Sequence, residues 1–194
     1  MSWIANTILT NRFQDALGYA YELHGRQIRK ATGVPYMAHL LSVSALVLED
    51  GGSEDEAIAA LLHDAGEDQG GEETLEEINR RYGATVAEIV RGCSDTLVTP
   101  KPPWRERKEK YLRELQSASP AVQRVSLADK VHNARDLLAC YRSSGEEIWL
   151  PFKGGKDGTL WYQRALVQVF QELGSGAMVE ELDRLVTELE QLSG

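Results

Sequence analysis

Apolar side chains recur every three or four residues along most of this chain, which is the spacing that places them on one face of an α-helix. Glycine and proline interrupt the pattern at residues 33–35, 51–52, 70–71 and 100–103. The pattern therefore predicts a series of helices, over residues 7–30, 36–49, 54–68, 74–82, 85–93, 104–116, 120 onward, 159–173 and 177–192. No convincing strand pattern is found in the sequence, so the predicted fold class is all-α.

The stretch from residue 57 to residue 68 changes abruptly from apolar to charged. Before it, Ser53 and Glu56 have the spacing of a capping box, which predicts that the helix begins at Glu54. Residues four apart share one face of a helix, so the charged residues at its end fall into two neighbouring stripes. The last turn of this predicted helix carries one histidine and three acids, which are His63, Asp64, Glu67 and Asp68.

Three carboxylates at the C-terminal end of a helix are unfavourable, because that end carries partial negative charge and the acids also repel one another. A divalent cation would offset this cost, so we predict a metal site around His63 and Asp64. The alternative interpretation is a core histidine beside a solvated acidic helix end. The metal-site interpretation requires further ligand residues from other segments of the chain, whereas the alternative does not.

The helix that begins at Pro120 carries a polar stripe beside an apolar one. The polar positions are Ser126, Asp129, His132, Asn133 and Asp136. Such a stripe either faces solvent or lines a site. Asp129 is the fourth candidate metal ligand. The other three are His39, in the second predicted helix, and His63 and Asp64, at the end of the third. Two imidazoles and two carboxylates from three helices suit a transition-metal ion that keeps positions open for water or substrate.

The length of 194 residues, with 42% hydrophobic content, allows the chain to bury one sizeable core. We predict a single domain over residues 1–173, with an amphipathic helix packed on it over residues 174–194. The apolar face of that last helix is typical either of core packing or of the contact face of a homodimer.

The charge balance argues against two classes of partner. With 30 acidic and 21 basic residues, a net charge of -9 disfavours nonspecific binding to nucleic acid or to anionic membranes. No stretch has the pattern of a signal peptide or a membrane span. The two cysteines, Cys93 and Cys140, have neither disulfide-framework nor metal-site spacing, which favours a reducing compartment. We therefore predict a cytoplasmic protein that binds neither nucleic acid nor membrane.

Four short stretches together resemble a known family. Residues 24–30 read His-Gly-Arg-Gln-Ile-Arg-Lys, and residues 35–39 read Pro-Tyr-Met-Ala-His. Residues 59–68 contain His-Asp-x-x-Glu-Asp, and residues 127–137 begin Leu-Ala-Asp-Lys-x-x-Asn. In this combination the chain resembles the HD-domain metal-dependent phosphohydrolases, and within them the hydrolase domain of the RelA/SpoT-type alarmone enzymes. It is most similar to the small stand-alone alarmone hydrolases, over about residues 8–172.

The resemblance implies a helical enzyme that uses Mn²⁺ to remove the 3′-pyrophosphate of ppGpp or pppGpp and that releases GDP or GTP. Matched position by position, it implies four metal ligands, which are His39, His63, Asp64 and Asp129. It also implies that Glu67 and Asp68 orient or activate the attacking water. Contacts to the nucleotide substrate are implied at four further positions, which are Arg29, Lys30, Asn133 and Tyr162.

Three departures from the family pattern leave the exact substrate open. Gln69 follows the acidic pair where the family commonly has threonine, Ala31 replaces a serine, and Leu40 replaces a proline. An adenine alarmone such as ppApp stays an alternative, as do a nucleoside 5′-phosphate substrate and a noncatalytic nucleotide-binding module. A cluster of four basic residues either contacts the 5′ phosphates or forms a solvated face. These residues are Lys101, Arg105, Arg107 and Lys108.

Overall fold

A computed structural model describes residues 7–29 and 32–194 of the chain. These residues contain nine α-helices, one π-helical turn and one 3-10 helix, and they contain no β-strand. The α-helices are α1 (Asn11–His24), α2 (Tyr36–Glu49), α3 (Glu54–Leu62), α4 (Glu72–Tyr82), α5 (Ala84–Cys93), α6 (Trp104–Gln116), α7 (Pro120–Ser144), α8 (Gly155–Leu173) and α9 (Ala177–Ser193). The predicted all-α fold class is confirmed.

The boundaries of α2 agree with the prediction, whereas those of α1 do not. Helix α1 begins after Thr10, whose side chain caps its first turn, and it stops before residues 25–35. Among the described residues of this segment, the backbone N–H of Arg29 donates to the carbonyl of Val34 at 2.9 Å, and the N–H of Tyr36 donates to the carbonyl of Gln27 at 2.8 Å. The prediction of a helix over residues 7–30 was wrong at its start and over residues 25–29, because these hydrogen bonds replace helical ones there.

The acidic stretch is not one continuous α-helix. The capping box of Ser53 and Glu56 is present at the start of α3, as predicted. After α3 ends, Gly66–Gly70 forms a π-helical turn in which the N–H of Gly71 donates to the carbonyl of Gly66 at 2.9 Å. A bond that spans five residues makes a wider turn than an α-helix. The predicted helix over residues 54–68 was therefore wrong in its last turn.

Two later helices begin before their predicted positions. Helix α4 follows Gly71, whose φ is +60°, so the predicted capping box at Thr74 and Glu77 is wrong. Glycine adopts this left-handed conformation without the steric cost that a side chain would bring. Gly83, with φ of +91°, ends α4 as predicted. Helix α8 begins at Gly155, one turn before the predicted start.

Helix α3 lies at the centre of the fold. Each side chain of its apolar run, residues 57–62, is fully buried. Helices α1, α2, α5 and α7 pack around it, and α7 also contacts α8 and α9. Burial of this kind contributes about 25 cal/mol per Å² of apolar surface. The ends of the central helices are thus held rigidly where α2, α3 and α7 meet.

Helix α9 packs against α7 and α8. Its buried residues are Met178, Leu182, Val186, Leu189 and Ser193. The apolar stripe seen in the sequence therefore packs within the chain. The division at residue 173 and a homodimer both stay predictions. Within the described residues, no helix combines the length and the hydropathy that crossing a lipid bilayer requires.

Candidate active site

Three of the predicted metal ligands converge at the junction of α2, α3 and α7. One ligand atom from each of His39, His63 and Asp129 lies within 4.8 Å of the other two. The Oδ1 atom of Asp129 is 3.2 Å from Nε2 of His39 and 3.6 Å from Nε2 of His63. The Oδ2 atom of Asp64 is 3.7 Å from Nε2 of His39 and 3.0 Å from Nε2 of His63. All four predicted ligands are therefore brought together.

The geometry of these atoms fits a single divalent ion. Nε2 of His39 and Nε2 of His63 are both buried, and neither has a hydrogen-bond partner among the described residues. Ligand atoms bound at about 2.1 Å to one ion lie about 3.0–3.4 Å apart in octahedral or tetrahedral arrangements. The four separations between these nitrogens and the carboxylate oxygens are 3.0–3.7 Å, so two lie within this range and two exceed it by at most 0.3 Å. Two imidazoles and two carboxylates suit several transition metals, so the donor set fits a metal without selecting one.

The two ligand histidines are oriented through their other ring nitrogens. Nδ1 of His63 donates to the carbonyl of Ala60 at 2.8 Å, which leaves Nε2 free to bind a metal. Nδ1 of His39 lies 2.9 Å from Nδ1 of His132, on α7. The sequence placed His132 only on the polar stripe of its helix. In the structure its ring contacts the imidazole of His39, a candidate metal ligand, and limits the orientation of that ring.

The two ligand carboxylates are also held by neighbouring side chains. The hydroxyl of Tyr36 donates to Oδ2 of Asp64 at 2.5 Å. The Nζ of Lys130 donates to Oδ2 of Asp129 at 2.6 Å, and the amide of Asn133 donates to its Oδ1 at 2.5 Å. Such contacts fix the direction of the ligand oxygens. The sequence analysis gave no role to Tyr36 or Lys130. Tyr36 lies one helical turn before the candidate ligand His39, and Lys130 directly follows the candidate ligand Asp129.

Charges within the site determine its protonation. Burial alone would lower the pKa of His63, but the negative charges of Asp64 and Asp129 outweigh it and hold that pKa well above its usual range. Burial would raise the pKa of Asp129, but Lys130 and the histidines hold it well below its usual range. The acids are therefore ionised at neutral pH, and a metal ion has to displace a proton from His63.

Replacing Tyr36 with phenylalanine is expected to weaken metal binding by about 10- to 100-fold, because the Asp64 carboxylate loses the hydroxyl that orients it. Isothermal titration of Mn²⁺ into the metal-stripped protein measures the change. Tyr21→Phe provides a matched control, since the side chain of Tyr21 is 65% exposed. Equal affinities in the two variants would contradict this role for Tyr36.

A cavity of about 360 Å³ lies next to the candidate metal site, within the range of small-molecule pockets. Seven of the predicted site residues line it, which are Arg29, Asp64, Glu67, Asp68, Asp129, Asn133 and Tyr162. The two ligand histidines are buried. Lys30 lies outside the described residues, so its predicted contact stays a prediction. The cavity is also lined by residues to which the sequence analysis gave no role in the site, among them Gln27, Tyr36, Trp104 and Lys130.

The acidic pair lies on the π-helical turn at the cavity wall. Oε1 of Glu67 accepts a hydrogen bond from Nζ of Lys101 at 2.8 Å. Burial, and then the nearby charge of Asp95, raise the pKa of Glu67 above that of an ordinary glutamate. Oδ2 of Asp68 accepts from the amide of Gln27 at 2.9 Å. A carboxylate with a raised pKa in a cleft is typical of a proton acceptor in catalysis.

Arg29 and Asn133 are linked across the cavity. The guanidinium of Arg29 donates to Oδ1 of Asn133 and to Oδ2 of Asp136, each at 2.7 Å. Tyr162 stands on another wall, where the Nζ of Lys108 lies 4.8 Å from the centre of its ring. The buried hydroxyl of Tyr162 has no hydrogen-bond partner among the described residues. Three of the four predicted nucleotide-contacting residues, Arg29, Asn133 and Tyr162, thus line one cavity.

Two of the four basic residues near the proline-rich segment pair with one buried acid, Asp95. These two residues are Arg107 and Lys108. Lys108 lines the cavity, whereas Arg105 lies over the ring of Trp161. The sequence left open whether these cations face solvent or substrate. The structure places Lys108 at the cavity, and Asp95 fixes its direction.

Comparison with known proteins gives consistent matches. The sequence profile of the HD-domain family matches residues 16–160. The guanosine-3′,5′-bis(diphosphate) 3′-pyrophosphohydrolase MESH1 of Mus musculus is 33% identical over 172 residues, which cover 82% of this chain and 93% of that protein. The protein of the same name from Xenopus tropicalis is 38% identical over 129 residues, or 65% of this chain and 69% of that protein. The solved structure of a metazoan SpoT ortholog that hydrolyses ppGpp has a TM-score of 0.77 at 25% identity and covers 94% of this chain and 97% of that one.

Proposed function

Because the chain belongs to the HD-domain family, we propose that it is a metal-dependent hydrolase that removes the 3′-pyrophosphate of guanosine alarmones. Its substrates would be ppGpp and pppGpp, and its products GDP or GTP together with pyrophosphate. The relatives named for this activity align over most of the chain, which supports the substrate class.

One observation carries the proposal: two buried imidazole nitrogens lie within 3.7 Å of two carboxylates, Asp64 and Asp129, beside a cavity of about 360 Å³. We propose that His39, His63, Asp64 and Asp129 hold a divalent ion, which we take to be Mn²⁺. When bound, such an ion lowers the pKa of water and stabilises charge that develops on a phosphoryl group. The unpartnered, buried Nε2 atoms of both histidines support the ligand assignment.

Glu67 and Asp68 act on the attacking water in this proposal. The raised pKa of Glu67 brings it closer to neutrality, where a general base is most effective. The 2.8 Å contact with Lys101 opposes this rise, because a nearby cation lowers the pKa of an acid. Asp68 would accept a hydrogen bond from the water and hold it in line with the phosphorus. Attack of the water on the phosphorus would break the bond to the ribose 3′-oxygen, and this oxygen would take up the proton that Glu67 received, so that the 3′-hydroxyl and pyrophosphate are formed.

The remaining polar groups would bind the nucleotide. The planar guanidinium of Arg29 is held in place by Asn133 and Asp136, so it can stack on a purine without a large loss of side-chain entropy. Lys30 would contribute a point charge to the phosphates. The unpartnered hydroxyl of Tyr162 is available for a ribose or phosphate oxygen. We further propose a cytoplasmic location, which the two free cysteines support.

A product assay tests the function. The Mn²⁺-loaded protein is incubated with ppGpp, pppGpp, ppApp and simple nucleoside 5′-phosphates, and the products are resolved by anion exchange. GDP or GTP formed together with pyrophosphate is expected. Faster turnover of ppApp would assign the enzyme to adenine alarmones, and orthophosphate release from mononucleotides would assign it to another HD-type reaction. Binding of ppGpp without turnover would identify a noncatalytic module.

A further inference from the structure

A chain of side-chain hydrogen bonds leads from the core to the carboxylate of Asp68. Asp68 is exposed on the π-helical turn, where an acidic side chain would otherwise adopt several rotamers. Nε2 of Gln27 donates to its Oδ2 at 2.9 Å. The backbone of Gln27 is held on both sides, since its N–H donates to the carbonyl of His24 at 2.9 Å and its carbonyl accepts from the N–H of Tyr36 at 2.8 Å. An exposed acid is thus attached to a rigid loop.

The orientation of the Gln27 amide is set by two donors. Nδ1 of His24 lies 2.7 Å from Oε1 of Gln27, and Nε2 of Gln69 lies 3.1 Å from the same oxygen. A carbonyl oxygen has two lone pairs and accepts both hydrogen bonds, whereas a flipped amide would place its N–H groups against another N–H and its oxygen against a carboxylate. Gln27 therefore directs its N–H groups towards Asp68.

His24 is a rigid anchor for this arrangement. Its side chain is fully buried, and its ring stacks on that of Tyr36 with centroids 5.5 Å apart and planes 22° apart. Because the carbonyl oxygen of Gln27 can only accept, the contact with His24 requires the proton on Nδ1. Tyr36 also donates a hydrogen bond to Asp64, a candidate metal ligand. The stacked rings of His24 and Tyr36 therefore connect the contacts around Gln27 with the candidate metal site.

We propose that Gln27 is a positioning residue for Asp68 and that His24 and Gln69 act by fixing the Gln27 amide. The inference rests on the hydrolase function proposed above, in which Asp68 orients the attacking water. With Oδ2 engaged by Gln27, the carboxylate has a fixed plane, and its Oδ1 is directed for the water. Gln69 stands where the family commonly has threonine, so this chain uses a longer amide side chain at that position to complete the network.

Kinetics of matched variants test the proposal. Gln27→Met keeps the side-chain length but removes the amide, and it is expected to lower kcat for ppGpp about tenfold through misplacement of Asp68. The KM and the Kd for Mn²⁺ are expected to change less than about twofold, because neither the nucleotide contacts nor the metal ligands are altered. Gln14→Met, at an exposed position of α1, is the control.

Variants of His24 separate a positioning role from general packing. His24→Asn retains an N–H near the position of Nδ1 and is expected to keep kcat within about threefold, whereas His24→Leu is expected to lose activity as Gln27→Met does. Combining His24→Leu with Gln27→Met is expected to cost no more than the single change, since both act through one hydrogen bond. Nitrogen-15 NMR is expected to show His24 protonated at Nδ1, independently of turnover.

Four results would contradict the positioning role of Gln27 or the function on which it rests. Wild-type kcat in Gln27→Met, or a fall in kcat accompanied by an equal loss of Mn²⁺ affinity, would overturn the positioning role while the hydrolase function stood. A proton on Nε2 of His24 would likewise overturn it. A wild-type protein that does not hydrolyse ppGpp would overturn the proposed function, and the role of Gln27 in that reaction with it.

Discussion

Replacing Asp64 with asparagine is expected to lower kcat/KM for ppGpp by at least about 10³-fold, the largest loss expected from any single isosteric change in this chain. Asparagine keeps the shape of the side chain but removes the negative charge beside Nε2 of both histidines. The ion would lose a charged ligand, so the Kd for Mn²⁺ is expected to rise at least about 100-fold in parallel. Stopped assays and calorimetric titration measure the two quantities.

Asp157→Asn is the matched control for this experiment, because Asp157 is exposed on α8 and is not among the residues that line the cavity. Circular dichroism of the metal-free proteins checks that both variants are folded. Excess Mn²⁺ is expected to restore part of the activity of Asp64→Asn, since weaker binding can be offset by concentration. If Asp64→Asn bound Mn²⁺ as tightly as the wild type, Asp64 would not be a ligand.

Replacing Glu67 with glutamine is expected to lower kcat about 10²- to 10³-fold with little change in KM, because the amide cannot accept the proton of the attacking water. The metal ligands stay intact, so Mn²⁺ affinity is expected to be retained. Glu76→Gln, at an exposed position of α4, is the control for loss of an acidic charge nearby. A similar loss of kcat in both variants would point to bulk electrostatics rather than to a base.

The pH profile gives a second test of Glu67. A general base must be ionised, so activity falls as pH drops through its pKa. Burial and the charge of Asp95 raise that pKa, which places the acid limb of the wild-type profile above the range of an ordinary glutamate. Lys101 lowers the pKa of Glu67, so Lys101→Met is expected to move the acid limb to higher pH. In Glu67→Gln this limb is expected to disappear.

Local features of the chain could be predicted from neighbouring residues alone. The capping box at Ser53 and Glu56, the bounds of α2 and the glycine that ends α4 at Gly83 all appear in the structure. Each depends on a hydrogen bond or a periodicity within one or two turns of chain, which is information that sequence contains directly. The π-helical turn was missed because its wider bonding is a departure from that periodicity.

The candidate site also contains some features that the sequence predicted and others that it did not. The four metal-ligand candidates were predicted from residue type and motif, and the structure brings them together. The groups that orient them were not predicted, since His132 reaches His39 across 93 positions and Gln27 reaches Asp68 across 41. Asp95, which pairs with two basic residues, also escaped notice because no motif contains it.

By itself, the sequence determined the helical class, the chemical types of the ligands and the segments that carry them. Only the tertiary structure decided which nitrogen of each histidine faces the candidate metal, that Lys108 faces the cavity, and how Glu67 comes to have a raised pKa. The physical reason is that helix formation depends on residues close in the chain, whereas protonation and orientation depend on burial and on charges that become neighbours only when helices pack. Arg29 and Asn133, 104 positions apart and joined at 2.7 Å, illustrate that dependence.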